Sequence, residues 1–112
     1  MSFRGAVSEL VEILGTKLVA YIAGVKETRA VQEWARGVRD PKDPALERRL
    51  RLALQIAHLI AEHDSREVAQ AWFQGLNPQL DDRAPAQLLR EGDIADVGRN
   101  VLAAARAFVI GG

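Results

Sequence analysis

An all-α fold follows from three features of this chain. Hydrophobic residues make up 48% of its 112 positions, Ala and Leu dominate them, and no stretch alternates apolar and polar β-branched residues; helix is then the default state of every long segment. Apolar residues recur at helical spacing in each of those segments. The longest, Ala45 to His63, carries Leu46, Leu50, Ala53, Leu54, Ala57, Ile60 and Ala61 on one stripe, widened by Leu52, Ile56 and Leu59. A helix apolar over more than half its circumference is covered on two sides. The expectation is therefore an N-terminal helix-turn-helix unit over residues 1–44, a shared central helix over 45–63 and a small helical unit over 64–112, with six or seven helices and no sheet.

Ala6 to Leu14 is expected as the first helix, with Val7, Leu10, Val11 and Leu14 inward and Gly15 ending it. Thr16 would cap the second, Lys17 to Ala23, and Gly24-Val25 leads to a third from about Thr28 to Arg36. Two short helices joined through Gly are the plan of a helix-turn-helix, although any three-helix bundle uses Ala, Gly and Leu in this way. Ala20 is small enough for the helices to cross closely, and Val31 and Trp34 anchor the third helix. Lys26, Thr28, Arg29, Gln32 and Arg36 are the candidate DNA-contacting residues, of types that reach bases or phosphates. Glu27 and Glu33 would repel phosphate.

Gly37 to Pro44 is a turn broken by two prolines, after which Asp43 caps the long helix with Pro44 in its first position and Glu47 in its first turn. Asp64 or Ser65 caps the next helix, which ends near Trp72-Phe73 with Val68, Ala69 and Trp72 inward. Asn77-Pro78 and Pro85 fix a folded-back turn that Leu80 plugs into the core, and Pro85 to Arg90 forms a short helix stopped by Gly92. A last helix from Ile94 to about Phe108 leaves Val109-Ile110-Gly111-Gly112 as an apolar, flexible tail.

Composition excludes much chemistry. There is no Cys, hence no disulfide, thiolate metal site or Cys nucleophile. His58 and His63 lie about 140° apart around a helix and cannot share a metal. Ser2, Ser8 and Ser65 have no His nearby in sequence, Asp81-Asp82 has the character of a solvated turn, and no phosphate-binding glycine loop occurs. No enzymatic activity, cofactor or metal is expected. Without an apolar leader or membrane span, the simplest expectation is a cytoplasmic protein. Net charge is zero but divided: residues 1–56 hold ten Lys/Arg against seven acids, and residues 57–112 five Arg against eight. Such a division suits a nucleic-acid face in front and a protein-binding face behind.

Two sets of residues carry a family resemblance. Val31-Gln-Glu-Trp34-Ala-Arg-Gly37, followed by Pro41, resembles the end of an Xre-type repressor helix-turn-helix, with one residue more between Gly24 and Val31. Trp72, Asn77-Pro78, Leu80, Arg83, Pro85, Leu88-Leu89 and Gly92 resemble, in matching spacing, the hallmark of the toxin-binding domain of Xre/MbcA/ParS antitoxins. Gly75-Leu76 stands where that family usually has Thr-Pro, and Asp81-Asp82 where it usually has a Gly pair. The resemblance spans nearly the whole chain. It implies an Xre-like bundle fused through the central helix to a toxin-binding domain that blocks a RES-domain, NAD⁺-consuming toxin, together with autorepression through operator DNA by a homodimer. It also implies that Trp72, Leu80, Leu88 and Leu89 hold the surface from within. Arg83, Arg90, Arg99, Arg106, Phe108, Val109 and Ile110 are the candidates for touching the toxin. A stand-alone helix-turn-helix transcription regulator is the alternative, its second half serving only dimerisation.

Overall fold

The computed structural model describes residues 1–111; Gly112, the last residue of the expected tail, lies outside them. The chain is all-helical: α1 (Phe3–Leu14), α2 (Thr16–Ala23), α3 (Thr28–Arg36), α4 (Pro44–His63), α5 (Arg66–Gln74), α6 (Pro85–Glu91) and α7 (Ile94–Gly111), with a 3-10 turn at Pro78–Leu80. The one β-type pairing among the described residues is an isolated bridge between Asn77 and Arg83.

Local chemistry sets the boundaries. α1 begins three residues ahead of expectation because the Ser2 hydroxyl accepts the Gly5 N–H at 3.0 Å. Asp43 accepts the Ala45 N–H at 2.9 Å and Ser65 the Val68 N–H at 3.1 Å, which settles Ser65 rather than Asp64 as the cap of α5. Thr16 does not cap α2. A single residue, Gly15, links α1 to α2, and at φ 86°, ψ 155° it occupies a region essentially reserved for glycine, so Thr16 is already helical. α7 overturns the expectation of a flexible tail, since it continues as helix through Gly111.

The core is continuous and α4 runs through it, packed against α1, α2, α5 and α7. Leu50, Ala53, Ile56, Ala57 and Ile60 are buried to within 1% on α4. The flanking units also meet one another directly, α1 on α5 and α2 on α6, so the central helix does not separate them. Phe73, which the sequence pattern passed over, is fully buried.

Long polar side chains tie the elements together at helix C-termini, where backbone carbonyls lack helical partners. Gln70 of α5 donates to the Ile13 carbonyl at 2.8 Å, and Ser8 of α1 to the Ala35 carbonyl at 3.2 Å. Three carbonyls at the end of α2 are held by two arginines. Arg49 donates to Ile22 and Ala23 at 3.4 and 3.1 Å, and Arg90 to Tyr21 at 2.8 Å. The turn between α2 and α3 is thereby braced from the central helix and from α6.

Gly92 illustrates a glycine kept for space. Its φ is −88°, open to any residue, but a Cβ there would lie 2.6 Å from Val97 Cγ1 and 2.9 Å from the Leu88 carbonyl oxygen. Gly92→Ala is expected to lower stability by about 1–3 kcal/mol through overpacking. An unchanged denaturant midpoint would show that the α6–α7 junction gives way freely.

Candidate functional site

The turn between α5 and α6 is built around Asn77. Its side-chain oxygen accepts the Gln79 N–H at 2.9 Å, and its carbonyl accepts the N–H groups of Leu80 and Asp82, each at 2.9 Å. The Asn77 N–H donates to the Arg83 carbonyl at 3.1 Å and closes the loop. Pro78 then starts the 3-10 turn, and Leu80, 6% exposed, drops into the core. Asp81 and Asp82 follow at φ 57° and 59°. These are the two positions of the expected glycine pair, and the left-handed backbone explains why glycine suits them. Asp81→Gly and Asp82→Gly should each stabilise the chain by about 0.5 kcal/mol, the relief of left-handed strain offset partly by the freer unfolded chain. A lowered melting temperature in the double variant would refute this account of the turn.

Behind the turn, Trp72 is 9% exposed and meets Phe73 edge-on at 5.3 Å between ring centroids and Phe108 at 6.5 Å. An open groove of about 390 Å³ lies here, lined by Trp72, Leu76, Pro78, Ala104, Ala107 and Phe108. Leu76 is 74% exposed, Phe108 37% and Ile110 87%. From sequence, Leu76 stands out only as part of the Gly75-Leu76 departure from the family's Thr-Pro, not as a candidate contact. A further signal was a large aliphatic residue between Gly75 and Asn77-Pro78, in a segment that had to be a turn.

The candidate toxin contacts divide among several faces. Arg99, Arg106 and Ile110 lie within about 40° of one another on the solvent side of α7, with neither arginine in an ion pair among the described residues. Phe108 turns to Trp72, and Val109 packs partly against the core. Both have partners within the chain, so Val109 does not belong to a free tail. Arg83 lies 3.5 Å from Glu91. Arg90 stands apart from the groove at Trp72: its guanidinium carbon is 4.7 Å from the centroid of the Tyr21 ring, beside α2. Of the motif residues, Trp34, Pro85 and Leu89 are buried with Trp72 and Leu80, whereas Leu88 is half-buried.

The candidate DNA-contacting residues share the outer face of α3 and the loop before it. Lys26, Arg29, Gln32 and Arg36 are exposed, and Thr28 is half-buried as the first residue of the helix. The inner face is fixed by Val31 and by Trp34, which packs edge-on against Phe3 at 5.9 Å. Glu33 is occupied by Arg29 at 3.6 Å and Arg39 at 3.3 Å. Those pairs temper the repulsion expected between Glu33 and phosphate.

The histidines do not come together. His58 lies between Glu9, 3.2 Å from Nε2, and Glu62, 3.7 Å from Nδ1, while His63 is exposed at the end of α4. Among the described residues no group of three or more His, Asp or Glu is placed to hold a metal ion. Among the described residues no helix is long and apolar enough to cross a membrane.

No family model matches the chain, and no curated protein matches it. Among solved structures it is similar to a chain of the toxin–antitoxin complex MbcT–MbcA of M. tuberculosis, at 28% identity and a TM-score of 0.76, over 99% of this chain and 96% of that one. The chain has the architecture of an MbcA-type antitoxin, which supports an antitoxin role.

Proposed function

From that architecture, we propose that this chain is a non-enzymatic antitoxin that binds a RES-domain, NAD⁺-consuming toxin and blocks its active site. The observation that carries the reading is the likeness to a chain of a toxin–antitoxin complex over 99% of the sequence. The Trp72-to-Gly92 turn, built on the same residues that mark the family, supports it further. The toxin-facing surface is the C-terminal end of α7, wrapped on both sides: Arg99, Arg106 and Ile110 on its solvent side, and the groove flanked by Leu76 and Phe108 on the opposite side. Leu76, exposed in the turn, and Ile110, exposed on α7, gain burial in a complex. Arginines beside them are suited to the space of a dinucleotide phosphate.

Residues 64–112 serve the toxin, residues 1–44 serve an operator, and residues 45–63 support both. Autorepression rests on the exposed Arg29, Gln32 and Arg36 of α3 and requires a homodimer, because one such helix covers only a half-site. That same α3 face is what a stand-alone transcription regulator would use, and this is the competing reading. Co-expression with the adjacent reading frame separates the two. An antitoxin brings down a RES-domain partner and protects cells that express it. A regulator without a toxin does neither, and that result would remove the antitoxin reading.

A further inference from the structure

A second groove, of about 740 Å³, lies along α2 and the start of α3. Its charged lining is Lys17, Lys26, Arg29 and Arg90 against the single carboxylate of Glu27. Three of these cations come from the helix-turn-helix, but Arg90 reaches in from α6, in the other half of the chain. Its guanidinium is stacked on the Tyr21 ring and anchored through Nη1 to the Tyr21 carbonyl, and it makes no other hydrogen bond among the described residues. A planar cation fixed in this way keeps donors free, loses little further entropy on binding an oxyanion, and suits bidentate contact with phosphate. Lys17, one turn before Tyr21 on α2, has no carboxylate within ion-pair distance among the described residues. In a helix-turn-helix the helix before the recognition helix crosses the nucleic-acid backbone, which is where Lys17 stands.

We propose that Arg90 and Lys17 together grip the phosphodiester backbone of duplex DNA beside α3, so that the nucleic-acid face is assembled from both halves of the chain. The proposal rests on the operator-binding reading and extends it to residues outside the recognition helix. It assigns Arg90 to the backbone rather than to the toxin. Glu27, the one acid in the groove, limits the strand's approach to the Lys17–Arg90 side.

Binding by fluorescence anisotropy between 50 and 200 mM salt, as an order-of-magnitude working range, tests it on the full chain. The probes are a duplex from the chain's own upstream region, a scrambled duplex of equal length, and the single strand. Lys17→Gln and Arg90→Gln should each weaken both duplexes by the same factor and reduce the slope of log affinity against log salt by about one. Gln32→Ala should instead narrow the difference between the two duplexes. Arg90→Gln also releases Tyr21, so its melt is measured in parallel, and Arg90→Lys should recover the slope while losing the stacked geometry. Lys17 has no ion pair to lose among the described residues and carries the test independently. A wild-type protein that binds duplex DNA with its slope unchanged in either glutamine variant overturns this proposal and leaves the operator reading standing. A wild-type protein that binds neither duplex overturns both. A slope change seen only with the single strand overturns the assignment to duplex.

Discussion

Toxin rescue is expected to collapse in the double variant Leu76→Asp/Ile110→Asp while the isolated protein melts as before. Both side chains are largely in water, at 74% and 87% exposed, so their replacement lies within about 0.5 kcal/mol of neutral for the fold. In a complex the same positions become apolar anchors, whose loss typically costs about 2 kcal/mol or more each, and a buried unpaired carboxylate adds to that. Two such losses reduce affinity by roughly a thousandfold. Truncation is a poorer probe than these substitutions. Removing Phe108 to Gly112 also strips Phe108 from Trp72, which should cost about 1–2 kcal/mol of fold stability given the partial burial of that ring. Full rescue and undiminished pull-down by the double aspartate variant would place the inhibitory surface away from Leu76 and the end of α7.

Trp72→Ala acts on the fold itself. The indole is 9% exposed and packs between Phe73 of its own helix and Phe108 of α7, while it also lines the groove beside Leu76. Emptying a buried aromatic site costs about 3–5 kcal/mol. Against the 5–15 kcal/mol typical of a whole domain, that is a large share, and it should lower the melting temperature by more than about 15 °C. α5, α7 and the Asn77 turn all lean on this ring, so loss of helix by circular dichroism should accompany loss of rescue. Trp72→Phe keeps part of the volume and should retain the fold with a smaller shift. A melt within a few degrees of wild type for Trp72→Ala would mean that the indole is held at the surface of the core and not by it.

Much of this was legible in the residues alone. The apolar stripe of α4, the anchoring of α3 by Val31 and Trp34, and the turn at Asn77-Pro78 with Leu80 beneath it all follow from spacing and from side chains with one plausible backbone use. Asp81 and Asp82 were legible only as a solvated turn that departs from the family's glycine pair; their left-handed backbone is a finding of the structure.

Other features depended on neighbours distant in sequence. Spacing records which side of a helix is apolar, but not which carbonyl a long side chain reaches. Nothing in the spacing marks Arg49 or Gln70 as ties, and Arg90 is a candidate toxin contact by sequence, although each closes the end of another helix, Gln70 and Arg90 from the other half of the chain. The tail was misjudged for the same reason. Whether Phe108 has a partner depends on Trp72 lying across from it, and helical spacing within residues 94–112 contains no information about α5. Composition and periodicity thus determined the helices, their buried faces and the chemistry of the central turn, because those are local properties of the chain. The helical end of α7 and the groove between Leu76 and Phe108 were decided only when α7 packed across α5, and the braced α2–α3 turn and the mixed origin of the basic groove only when α4 and α6 closed onto α2, because each is a contact between segments that the sequence keeps apart.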